Sequence, residues 1–171
     1  MQRKYRFVLF LLVPFLMALA PCAAFAAPAP AWVGKGADGK EVRFDPQHMQ
    51  RPAILLFWAT WCPYCEALMP YVQKVADAAG KDKLDVYAID IKEDGEKDPV
   101  ATLHERKLGF TLVRDGDPVA ALYGVKGTPG LFLVDAQGEI VYKRSGGEEP
   151  AQVEAALRGK LNLPAAKMPA G

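Results

Sequence analysis

Two cysteines three residues apart, Cys62 and Cys65, carry the chemistry most visible in this chain. They stand in Trp61-Cys62-Pro63-Tyr64-Cys65, directly after the apolar run Ile54-Leu55-Leu56-Phe57-Trp58. The pattern reads as a strand followed by the opening of a helix. Positions i and i+3 are neighbours on a helix surface, a separation that suits a disulfide with little backbone movement. The positive end of the helix dipole stabilises a thiolate placed there. The expectation is an exposed, acidic Cys62 that attacks, with Cys65 behind it as the resolving thiol. Pro63 suits the first helical position, where a missing N–H costs nothing. Trp61 and Tyr64 would supply an aromatic rim.

The N-terminus bears on where such chemistry would take place. Arg3, Lys4 and Arg6 precede a mostly apolar stretch from Phe7 to Ala20, and Ala24-Phe25-Ala26 has the form of a cleavage site. This reads as a secretory signal peptide over residues 1–26, cut after Ala26. Left uncut, it would be a membrane anchor, although the apolar core is short for a span and Pro14 interrupts it. Leu19-Ala20-Pro21-Cys22 approaches a lipobox, but Pro21 stands where a small residue is usual. Cleavage would remove Cys22, the third of three cysteines. A lone pair is no disulfide framework, so an ordinary hydrophobic core must hold the domain. The chain is 51% hydrophobic with a net charge of +1. No basic run points to nucleic acid.

The remaining elements read as one α/β domain. A Pro/Ala linker is expected over 27–31, without structure. A hairpin follows from Val33 to Phe44 around Ala37-Asp38-Gly39-Lys40. The continuous apolar run 54–58 fits a central strand covered on both faces. Apolar residues from Leu68 to Ala79 repeat at helical spacing up to Gly80, with Pro70 predicting a kink. A strand over 85–91, a helix over 98–108, a strand over 110–113 and a short helix over 117–123 come next. A hairpin follows around Asp135-Ala136-Gln137-Gly138. A last helix opens at Glu148-Glu149-Pro150, and a Pro/Ala tail over 162–171 has little to bury.

Phe57-Trp58-Ala59-Thr60-Trp61-Cys62-x-x-Cys65 with Pro70 resembles the active-site segment of the thioredoxin superfamily. Gly127-Thr128-Pro129 ahead of the strand 131–134, and Val134-Asp135-x-x-Gly138 ahead of a final helix, strengthen the likeness. With the leader and an insertion around Lys92 to Val113, the chain is most similar to the TlpA/ResA/DsbE-like periplasmic thiol-disulfide oxidoreductases. The resemblance implies a thioredoxin-like α/β fold over 32–161. Its central mixed sheet would be flanked by helices, with an N-terminal hairpin and a central insertion. It implies Cys62 and Cys65 as catalytic residues that cycle through a disulfide, and a substrate-binding surface made by Trp61, Pro63, Tyr64, Thr128 and Pro129. The Thr128 backbone would pair with an extended client segment. Pro129 would be cis and help exclude metal. No cofactor is needed. Clients would be protein thiols and disulfides, apocytochrome c and copper-site proteins being family-typical. A periplasmic reductant would require a membrane electron donor of the DsbD/CcdA type, because that compartment is kept oxidising.

Three departures matter. Leu56 stands where thioredoxins carry a buried aspartate. Leu68 stands where many TlpA-like members carry a glutamate. Glu66 is the remaining candidate for proton transfer, against a default role as a solvated helix residue. The Pro63-Tyr64 pair also leaves the direction of exchange open, so a DsbA-like oxidant or isomerase stays an alternative. A Cu(I)-handling protein could use the same soft thiolates. A peroxide-reducing role would need a threonine where Ala59 stands. A purely structural disulfide closes too short a loop to stabilise much. Structural zinc wants four ligands, and His48 and His104 lack the spacing. The Glu93-Asp94-Gly95-Glu96 stretch reads as an exposed loop.

Overall fold

The computed structural model describes residues 27–144 and 146–166. The leader reading, Cys22 and the end of the tail lie outside these. Strand β4 (Ala53–Trp58) is buried at every position. It pairs in parallel with β5 (Asp85–Asp90) and antiparallel with β7 (Gly130–Val134). With β1 (Ala27–Pro28), β6 (Thr111–Val113) and β8 (Glu139–Lys143) these form one mixed sheet, ordered β1-β8-β7-β4-β5-β6. The hairpin strands β2 (Trp32–Lys35) and β3 (Glu41–Phe44) pair separately.

The alternation of β4 divides the core in two. Ile54, Leu56 and Trp58 pack with α1 (Pro63–Ala79), α4 (Pro150–Lys160) and Leu103 of α2 (Pro99–Glu105). Ala53, Leu55 and Phe57 pack with Trp32 and Phe44 of the hairpin and with α3 (Asp117–Leu122). Trp32 stacks on Phe44 with ring centroids 5.3 Å apart. This is the mixed sheet, N-terminal hairpin and central insertion expected, with α2 and β6 supplied by the insertion.

Local chemistry explains the boundaries. Asp98 caps α2 by accepting from the Ala101 N–H at 3.2 Å. That helix ends earlier than expected, because Lys107 takes a left-handed φ of 55°. Helix α1 runs on through Pro70, which lies on its exposed side, and closes at Gly80 with φ 95°. In the β7–β8 turn Gly138 adopts φ 82°, and a Cβ there would lie 2.2 Å from the Pro46 carbonyl oxygen. Only glycine fits.

Two expectations are corrected. The segment 27–31 is not an unstructured linker. Ala27 and Pro28 pair with Ile140 and Glu139, Ala29 N–H donates to Gly138 at 2.9 Å, and Ala29 is buried. The open edge of β8 offers unpaired backbone groups, and this segment satisfies some of them. The start of the tail also packs. Leu163 lies against the first core, and its N–H donates to the Arg158 carbonyl at 2.9 Å.

Arg158 fastens this corner. Its guanidinium donates to Glu154 at 2.7 Å, to the Lys74 carbonyl of α1 at 3.3 Å and to the Pro164 carbonyl at 3.0 Å. Glu154 is itself buried, so losing Arg158 strands a carboxylate away from water. Arg158→Met should lower the unfolding free energy by about 3 kcal/mol in urea titration. A change under about 0.5 kcal/mol would show that the pair contributes no net stability.

Candidate active site

Helix α1 begins at the carboxyl end of β4, and Cys62 is its N-cap. Its backbone is extended, with φ −87° and ψ 108°, while its side chain folds over the first turn. The Cys62 Sγ accepts a hydrogen bond from the Cys65 N–H at 3.3 Å. The Cys62 carbonyl accepts from the N–H groups of Cys65 and Glu66, at 3.1 and 3.2 Å. The sulfur thus meets one of the N–H groups that a helix start leaves without a partner. Both cysteines are free thiols in this structure.

Cys65 is fully buried, and Cys62 is only 2% exposed rather than open to solvent as expected. The N-cap geometry turns Cys62 inward, into the same core cluster as Trp58 and Leu68. The exposed surface at this end belongs to Trp61 and Tyr64. Burial pushes the Cys65 thiol well above the ordinary range, and the neighbouring Cys62 adds to the effect. Hydrogen bonds from the Ala59 backbone and the Thr128 side chain oppose it. Reduced Cys65 therefore holds its proton at neutral pH.

The Thr128–Pro129 bond is cis. The Thr128 side chain hydrogen-bonds the Cys65 sulfur, and Pro129 directly precedes β7, whose Gly130 pairs with Phe57 near the end of β4. Pro63 opens α1 and is exposed. Tyr64, Leu68, Tyr71, Thr128, Pro129 and Arg144 line a groove of about 820 Å³. Glu66 forms an ion pair with Arg106 at the end of α2. His48 pairs with Asp45 at 2.8 Å, and both histidines are exposed. Among the described residues no group of three or more His, Cys, Asp or Glu side chains could hold a metal ion.

Four contributors are missing from the sequence reading. Glu93, expected in an exposed loop, is half-buried and grips Thr60 through both carboxylate oxygens. The Lys92 carbonyl accepts from Trp61 Nε1 at 2.8 Å. Arg144 donates to the carbonyls of Pro129 and Glu148, each at 3.2 Å. Asp90 ends β5, paired in register with Trp58, and is buried. Its position as an acid closing an apolar strand was the only sequence signal among the four.

The comparisons with known proteins agree with this geometry. A model of the AhpC/TSA family matches residues 25–143. The thiol:disulfide interchange protein DsbE of Yersinia pestis is 35% identical over 130 residues, covering 72% of this chain and 65% of the relative. The thiol-disulfide oxidoreductase ResA of Geobacillus thermodenitrificans is 33% identical over 119 residues, covering 68% and 67%. The chain thus spans about two thirds of the length of these relatives. The thioredoxin domain of a thiol-disulfide oxidoreductase from Bacteroides vulgatus superimposes with a TM-score of 0.62 at 26% identity, covering 78% of this chain and 98% of that one.

Burial pushes Asp90 up to about 6 from an ordinary 3.8, helped by Glu93 and Asp115 and opposed by the Asp115 N–H. Between those values the folded protein holds a proton that the unfolded chain has released. The stability tied to that proton is full below 3.8 and is lost as pH rises through about 6. Asp90→Asn removes this titration. Urea midpoints should show the variant gaining on the wild type between about pH 4 and about pH 6 and levelling off above that, and a constant difference would contradict the assignment.

Proposed function

The chain belongs to the AhpC/TSA thioredoxin-like family, and from that premise we propose that it reduces disulfides in protein clients through Cys62 and Cys65. The Cys62 thiolate attacks a client disulfide sulfur, forming a mixed disulfide and expelling one client thiolate. Cys65 then gives up its proton and attacks the Cys62 sulfur. A Cys62–Cys65 disulfide forms, and the second client thiolate leaves. The client gains two electrons from the chain and the proton of Cys65, and its second thiolate takes a proton from solvent, into which Cys62 released its own.

The observation that carries this reading is the joint placement of the two sulfurs. Cys62 caps a helix N-terminus, its sulfur accepting the Cys65 N–H. Cys65 lies buried and protonated behind it. A protonated resolving thiol lets the mixed disulfide form before it is broken. Leu56 and Leu68 belong to the same core cluster as Cys65, so the two positions at which the resemblance would offer a carboxylate are apolar here. With Glu66 engaged by Arg106, the polar contacts of Cys65 are Cys62, the Ala59 backbone and Thr128. Thr128, whose hydroxyl donates to the Cys65 sulfur, is accordingly the residue proposed to steady the thiolate left as that proton departs. The groove beside Pro129 is proposed to seat an extended client segment, with Trp61, Pro63 and Tyr64 on its sulfur side.

The setting proposed is the periplasm, on the strength of the leader-like residues 1–26. A reductant there would be recharged by a membrane donor of the DsbD/CcdA type, which the same reasoning adds to the proposal.

Trapping tests the roles directly. Cys65→Ser should accumulate mixed disulfides with disulfide-bonded insulin or oxidised client peptides, resolved by mass on non-reducing gels, while Cys62→Ser abolishes turnover. Absence of adducts in the first variant, with turnover kept in the second, would overturn the assignment.

A further inference from the structure

Lys92 touches both halves of the site, and nothing in the disulfide chemistry itself accounts for it. It follows β5 and adopts a left-handed φ of 54°, a conformation that residues other than glycine rarely take. Four interactions surround that backbone. Its carbonyl accepts from Trp61 Nε1 at 2.8 Å, next to Cys62. Its N–H donates to Asp117 Oδ2 at 3.2 Å, at the start of α3. Its ammonium donates to the Lys126 carbonyl at 2.7 Å, two residues before Thr128. The next residue, Glu93, holds Thr60 by its N–H and its hydroxyl.

These contacts have a common effect. The loop carrying Trp61 and Cys62 comes from the end of β4. The loop carrying Thr128 and Pro129 comes from the start of β7. Lys92 bridges the two from the far side of the sheet order, through β5. Gly124 and Gly127 flank Lys126, and neither would meet a neighbour if it carried a Cβ. Val125 anchors one side of that stretch against the second core, whereas Lys126 and Gly127 are exposed. The bond from the Lys92 ammonium to a backbone carbonyl is charge-assisted, which makes it a stronger tie than a neutral one.

We propose that Lys92 is a positioning residue. It fixes the Lys126–Thr128 backbone relative to Trp61 and Cys62, so that an extended client is held in register with the attacking sulfur. This deepens the proposed function and rests on it. The substrate class it favours is a disulfide within an extended polypeptide, over a small disulfide that needs no backbone pairing.

Lys92→Met removes the ammonium but keeps the stem, and Lys92→Arg restores a cationic donor. In the reduced protein, amide hydrogen exchange over residues 124–128 should speed up in Lys92→Met and return towards the wild-type rate in Lys92→Arg. The ratio of kcat/KM for a disulfide-bonded peptide to that for oxidised glutathione should fall about fivefold in Lys92→Met, the size expected for one lost hydrogen bond, mainly through KM. Lys92→Gln provides the same comparison should Lys92→Met fail to fold. Unchanged exchange and an unchanged ratio in the folded variant would overturn the proposal. Wild-type protein that exchanges with neither disulfide would sink the proposed function instead, while the amide exchange would still decide whether Lys92 orders the loop.

Discussion

A helix start leaves several N–H groups without partners, and the rest of this site follows from how one of them is met. Here the sulfur of Cys62 takes the Cys65 N–H at 3.3 Å. Serine, threonine, aspartate or asparagine would be the usual cap. A cysteine in that position is a redox group fastened to a structural bond. Placing the cap there obliges Cys65 to lie one turn on, facing the sheet. Because that side of α1 is core, Cys65 is buried, and its proton is held.

The packing keeps this arrangement rigid. The all-buried strand β4 sets the start of α1, and Leu68, Met69, Val72 and Val75 seat the helix on the sheet. Arg158 ties α4 back to α1 through the Lys74 carbonyl. On the other side, Arg144 holds the Pro129 carbonyl and Lys92 holds the Lys126 carbonyl. Two cationic side chains thus brace the loop that faces the cysteines. Both act on backbone oxygens rather than on the sulfurs, so neither needs to change charge during exchange.

Much of this was legible in the residues. The apolar run 54–58, the helical spacing from Leu68 to Ala79 and the Asp135–Gly138 turn each report a local rule, and the elements form where those rules place them. The cysteine pair and Thr128-Pro129 were legible for a similar reason: the chemistry sits in short motifs. What escaped was long-range. Nothing near Lys92 or Glu93 in sequence says that their partners lie some thirty residues earlier, at Trp61 and Thr60. Cys62 was expected at the surface from its place at a helix start, whereas its own N-cap geometry turns it inward. Residues 27–31 looked structureless by composition, yet the edge of β8 recruits them through backbone atoms that any sequence carries.

The reduction potential of the Cys62–Cys65 couple tests the central claim most directly. It is measured by equilibrating the protein in defined thiol buffers and counting free thiols by mass after alkylation. The account predicts a value near that of thioredoxin, about −270 mV, as befits a reductant that must be recharged. A value near about −120 mV would mark a DsbA-like oxidant and contradict it.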